Sequence, residues 1–245
     1  ALPVFQPAEA AALVAASGLT SFITAAFGIG GGALLLALLA TLLPPAALIP
    51  VHGVVQAGSN LGRLLLFLRW VHRPALPAFV AGSILGSLGG GLVVVELPAT
   101  AIQIAVGAFV IWSVFARPPR WLNRMPGLVG AISSFLTMFV GATGLFVASY
   151  TRSFDLERHA HVGTHAALMV VQHGVKVVVF GLLGFAYAAW LPLVVAMIAA
   201  GAVGTYVGRS VLTRIDERRF RLFLDVLLVL ISLRLIWAGV SGLFP

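Results

Sequence analysis

No cysteine occurs among the 245 residues, which removes disulfide frameworks, thiolate metal sites and cysteine nucleophiles and leaves the redox compartment unread. Charge is nearly as scarce. Only 9% of residues are Asp, Glu, Lys or Arg, and only seven are acidic, too few to solvate an ordinary water-soluble domain of this length. No Gly-x-x-x-x-Gly-Lys-Ser loop is present, so any transport is secondary or channel-like rather than driven by bound nucleotide. Ser59 sits in Ala57-Gly-Ser-Asn60 without the Gly-x-Ser-Gly surround of an intramembrane serine protease, and no paired aspartates fall within apolar segments. The net charge of +8 comes without a basic stripe interleaved with aromatics, so nucleic acid is not an expected partner.

What is present is hydrocarbon: 60% of residues are hydrophobic and the mean hydropathy is +1.09. Eight apolar segments (8–43, 46–70, 75–95, 98–116, 126–150, 160–186, 189–209 and 220–243) are each long enough for a helix crossing a bilayer core of about 30 Å. They lack the alternation of barrel strands. The chain therefore reads as an all-α polytopic membrane protein whose first partner is the lipid bilayer. Residues 8–26 carry neither a basic leader nor a small-residue cleavage site and are expected to belong to the mature fold.

Counting every segment as one crossing fails on charge. Arg117, Arg120 and Arg124 fill the fourth gap and Arg209, Arg214, Arg218, Arg219 and Arg221 crowd the seventh, which would then lie on opposite sides against the positive-inside rule. The fifth segment is interrupted at Val140-Gly-Ala-Thr-Gly144 and the first at Gly28 to Gly32. If both dip in and return, each half has one broken re-entrant segment plus three transmembrane helices, and every arginine-rich gap falls inside. An internal repeat supports the duplication. His52 and His165, Asn60 and His173, Arg63 and Lys176, and Phe67 and Phe180 all lie 113 positions apart; Phe27 and Gly32 lie 112 before Phe139 and Gly144; Gly86 and Gly90 lie 118 before Gly204 and Gly208. Two inverted repeats are expected, 1–118 and 119–245, forming one membrane domain.

Gly28, Gly30, Gly31 and Gly32 should unwind a helix, because glycine costs about 1 kcal/mol per helical position relative to alanine. Unwound backbone at membrane depth needs protein or a water-filled cavity to satisfy it. The half-helix that restarts beyond it turns free N–H groups and the positive end of its dipole toward the midplane, where an anion fits. Gly141, Thr143 and Gly144 form the second such break. His52, Gln56, Ser59, Asn60 and Arg63 occupy one helical arc of roughly 100°, and His165, Gln172, His173 and Lys176 repeat it. Polar faces of this kind in lipid-like segments look into protein or a wet path. Arg63 and Lys176 then add positive potential to an anion route, and His52, His165 or His173 is suited to carry a coupling proton. Gly82, Gly86 and Gly90, with Ala200, Gly204 and Gly208, read as packing faces. His159, His161 and His165 admit a metal-dependent membrane enzyme as an alternative, although no Glu follows the first histidine in the manner of a zinc hydrolase. A passive anion channel of the same architecture is the other.

Phe27-Gly-Ile-Gly-Gly-Gly-Ala33 followed by Pro44, the Ala57-Gly-Ser-Asn60 stretch, and Gly163-Thr164 opening a later helix resemble the TauE/SafE sulfite exporter family, also called toluenesulfonate uptake permeases. The resemblance spans nearly the whole chain, although Gly141-Ala-Thr-Gly144 is thinner in glycine than the first break and lacks a proline close behind. It implies a multi-pass permease of the bacterial inner membrane, not an enzyme, that moves small anions such as sulfite or organosulfonates. No cofactor or resident metal is implied, and a homodimer is compatible with the sequence.

Overall fold

The computed structural model describes residues 6–27, 30–94, 97–211 and 217–243, so Gly28, Glu96 and Arg214 lie outside the described residues. Among the described residues ten α-helices follow in order: α1 (Pro7–Phe27), α2 (Gly31–Leu42), α3 (Pro45–Phe67), α4 (Leu76–Val94), α5 (Ala99–Phe115), α6 (Pro126–Val140), α7 (Gly144–Arg152), α8 (Arg158–Leu182), α9 (Leu191–Val211) and α10 (Glu217–Ser241). No strand occurs among the described residues. Pro45 and Pro126 open α3 and α6, where a missing backbone N–H leaves no helical bond unmade.

Among the described residues five helices have the length and hydropathy to cross a membrane: α1, α4, α8, α9 and α10. α2, α5 and α6 are shorter and equally apolar. Leu65, Leu85, Leu92, Phe115, Leu182 and Trp237 stand exposed around the outside, a belt suited to acyl chains rather than water. The molecule is a multi-pass membrane protein. α3 has 23 residues, but its polar stripe dilutes its hydropathy; it packs against α8, with its N-terminal half buried in the bundle and Leu61, Leu65 and Leu66 near its C-terminal end exposed on the outside.

Both breaks reverse the chain. Gly30 at φ 99° and Gly141 at φ 72° hold backbone conformations that a side chain would strain, which explains a glycine at each. After the first break Gly31 lies so close to the Thr20 carbonyl and Thr24 hydroxyl of α1 that no Cβ fits. After the second, Thr143 Oγ1 donates to Ser133 O of α6 at 2.9 Å, and farther along Asn123 Nδ2 donates to Ser149 Oγ at 3.1 Å. α6 and α7 thus form a helical hairpin whose two outer ends meet. The first limb of the first break differs from the expected half-helix: α1 runs for 21 residues against 15 in α6, because the apolar run ahead of the first glycines is by itself long enough to span.

The most extensive interfaces pair α1 with α9, α4 with α6, α3 with α8 and α5 with α10. Exchanging the first five helices for the second five turns α1–α9 into α4–α6 and maps the other two pairs onto themselves. Gly53 meets Lys176 while Gly163 meets Phe67, so α3 runs antiparallel to α8; Gly107 meets Ile236 while Gly239 meets Ile104, so α5 runs antiparallel to α10. The small residues sit where the sequence placed them, in contact faces. Gly82 and Gly86 abut the Gly127 and Ala131 carbonyls of α6, and Gly204 and Gly208 abut the Gly18 and Phe22 carbonyls of α1. Gly18 and Gly130, themselves 112 apart, supply the facing small residues.

The arginine-bearing turns gather at one end. His72 N donates to Thr164 Oγ1 at 2.8 Å, Tyr150 OH donates to Ala75 O at 3.1 Å, and Trp70 stacks on His159 at 5.0 Å between ring centres. These contacts, with that of Asn123 on Ser149, bring the turns around Arg69 and Arg73, Arg120 and Arg124, and Arg152 and Arg158 together. The turn from Arg209 to Arg221 lies largely outside the described residues.

Candidate functional site

A cavity of about 1000 Å³ reaches from the two breaks to the arginine-bearing turns. Its deep end is lined by Gly30, Gly32 and Ala33 at the start of α2 and by Ala142, Gly144 and Leu145 at the start of α7. The helical ladder of α2 begins with Leu34 N–H on Gly30 O, and that of α7 with Phe146 N–H on Thr143 O. The N–H groups ahead of these bonds have no partner within their own helix, so both positive helix ends meet in one chamber.

α3 and α8 furnish the walls. His52, Gln56, Asn60 and Arg63 line the cavity from α3, and His165 and His173 from α8. His52 Nε2 lies 3.0 Å from Gly32 O, tying the stripe to the break. The rings of His52 and His173 meet edge to face at 5.8 Å, so the two stripes touch near their histidines. Asn60 Nδ2 donates to Gln56 O at 2.8 Å. Gln56 lies against Gly32, where an added Cβ would stand 3.1 Å from its amide nitrogen.

Gly31, Ser59, Gly141, Thr143, Gln172 and Lys176 stand behind this wall and brace it. Gly31 packs on α1, and Ser59 Oγ accepts from the Arg63 guanidinium at 3.1 Å. Gln172 Nε2 donates to Thr143 Oγ1, which passes the bond on to Ser133 O, so the last turn before α7 is held by a buried chain. Lys176, the only lysine in the sequence, is fully buried, and its ammonium donates to Thr137 Oγ1 at 3.2 Å and Gly141 O at 3.4 Å. It caps the C-terminal end of α6, where the helix dipole is negative, and does not line the cavity.

The mouth contains residues whose place in the sequence served only to orient the chain, and others that the sequence pattern did not single out. Arg117, Arg120 and Arg124 from the α5–α6 turn and Arg152 from the end of α7 line it, together with Asn123 and Ser149. Asp225 of α10 is the acidic residue on the lining. Along the chain these arginines are spread over 36 positions (152 − 117 + 1), and only the α6–α7 hairpin brings them to one opening. Of the histidines named for the metal alternative, His159 stacks on Phe67 and Trp70 while His165 faces the cavity, and among the described residues no three His, Asp or Glu converge on a metal position.

A family model described as Sulfite exporter TauE/SafE matches residues 13–235. No curated protein and no solved structure matches the chain.

Proposed function

Because the chain belongs to the TauE/SafE sulfite exporter family, a family of membrane transporters, we propose that it is a secondary permease moving small sulfur-containing oxyanions, sulfite or organosulfonates, across the bacterial inner membrane. The observation that carries this reading is the convergence of two helix N-termini on one chamber whose mouth is ringed by arginine. An oxyanion held there accepts from backbone N–H groups of α2 and α7, and the wall amides of Gln56 and Asn60 orient it.

In this mechanism residues 1–118 and 119–245 are inverted repeats that rock against each other around the chamber. The antiparallel packing of α3 on α8 and of α5 on α10 supports the inversion, since equivalent helices must then run in opposite directions. A chamber reaching one end of the bundle corresponds to one half of an alternating-access cycle. His52, His165 and His173 line it and are the groups suited to couple a proton to the anion.

Proteoliposomes preloaded with unlabelled sulfite should accumulate external labelled sulfite by counterflow, with organosulfonates competing and simple carboxylates competing weakly. Flux that fails to saturate and shows no counterflow would indicate a passive channel, and no flux of any sulfur oxyanion would end the reading.

The arginine ring gives a second test. Replacing Arg117, Arg120 and Arg124 together by Gln should slow sulfite uptake from that side by about tenfold at low ionic strength, with the deficit shrinking in high salt as screening sets in. A deficit independent of salt would assign the arginines to topology alone.

A further inference from the structure

The hydrogen bonds around His52 constrain the protonation of the ligand as well as its charge. A backbone carbonyl can only accept, so at 3.0 Å from Gly32 O it is His52 Nε2 that carries the proton. In the neutral ring Nδ1 is then a bare lone pair. That atom is buried and has no hydrogen-bond partner, on a side chain 1% exposed whose ring lines the chamber. An unpaired acceptor in such a place loses a bond that water would have supplied, and a ligand that donates to it restores the bond.

His165 and His173 of the same lining also carry an unpartnered Nδ1, but no carbonyl contact fixes their tautomers as it does for His52. The other groups of the chamber have the opposite polarity. The starts of α2 and α7 present N–H donors, Asn60 and Gln56 carry amides, and Arg63 is a cation on the same wall. The charged and titratable groups facing His52 are His173 and Lys176 of α8, and His165 and Arg63 lie farther along the cavity. A ligand that matches all of this is negative over most of its oxygens and carries one hydrogen-bond donor.

We propose that the deep chamber selects a hydrogen-oxyanion, a small monoanion bearing one acidic O–H, and that His52 Nδ1 accepts that hydrogen bond while the helix N-termini bind the anionic oxygens. The inference rests on the anion-transport reading and narrows it. Hydrogensulfite satisfies it, whereas an alkyl sulfonate has the same charge and nearly the same shape but no proton to donate. The coupling proton then travels on the substrate in place of a lining histidine, with His52 neutral throughout: binding the monoanion and releasing the dianion plus a proton on the far side balances both charge and hydrogen.

The test compares sulfite with methanesulfonate on the purified full-length protein, by thermal stabilisation or isothermal titration, across the second ionisation of sulfurous acid. Sulfite affinity should follow its monoanion fraction, and methanesulfonate should bind at least about tenfold more weakly at every pH. His52→Phe should bring the two affinities together by weakening sulfite alone, a change in ratio that a purely structural role would not produce. If that variant does not fold, the wild-type comparison decides by itself. Equal, pH-independent binding of both ligands would overturn the hydrogen-oxyanion assignment and leave the transport reading standing. Binding of neither would overturn both.

Discussion

Gly82→Val and Gly204→Val are expected to yield little folded protein, with the remaining fraction melting well below wild type and transporting nothing. A Cβ at Gly82 would overlap the Gly127 carbonyl and stand 2.9 Å from Ala131 N, and one at Gly204 would overlap the Gly18 carbonyl and stand 3.1 Å from Phe22 N. The obstructing atoms are helix backbone, so the side chain cannot escape by changing rotamer and the helices must separate. Overpacking of a core commonly costs about 1–3 kcal/mol, and separation of two helices along their length costs more. The function falls with the fold because α4–α6 and α1–α9 are two of the four main interfaces that join residues 1–118 to residues 119–245. Gly174→Ala is the control: an added Cβ there meets nothing within 4 Å, and helix propensity favours alanine by up to about 1 kcal/mol. Size-exclusion profiles and melting curves in detergent compare the three. A Gly82→Val protein of wild-type yield and midpoint would refute the packing account.

Those same glycines show what the sequence could disclose. A small residue every fourth position is a helix-periodic signal, and it correctly identified faces in close contact. It carried no information about the partner, because α1 has the single Gly18 and α6 has Gly127 and Gly130 three apart, so neither shows a glycine every fourth position. The breaks were legible for a related reason: Gly30 and Gly141 occupy positive φ, a backbone requirement that glycine meets locally. The polar stripes were legible as angles, and six of their nine residues do line the cavity. Angle does not report height, however. Lys176 shares the arc of His165, yet three turns along α8 the same face meets the end of α6 instead of the chamber. Arg117, Arg120 and Arg124 were read only as topology markers and Arg152 was not singled out, because their convergence depends on the α6–α7 reversal and on where Asn123 meets Ser149.

Lys176→Met is the substitution for which stability and transport should part company. The ammonium is fully buried, and its bonds to the Thr137 hydroxyl and the Gly141 carbonyl are to neutral acceptors. A buried cation held by neutral acceptors recovers less of its desolvation penalty than one paired with a carboxylate. Methionine nearly matches the stem, removes that penalty, and leaves the Thr137 Oγ1 bond to Gly141 O at 2.8 Å intact. The melting midpoint should therefore stay level or rise. Transport should fall at least about tenfold, since the cation both fixes the carbonyl that precedes the α7 N-terminus and adds positive potential behind the chamber. Lys176→Arg should not rescue it, because the stem already lies against Gly53, where an added Cβ would come 2.8 Å from Lys176 Cε, leaving no room for a guanidinium. A midpoint that drops in step with transport would make Lys176 a structural cap. Unchanged transport would remove it from the mechanism. A raised midpoint with transport lost would instead show that this region keeps an unfavourable charge because the anion needs it, which is the trade expected where function rather than folding selects a residue.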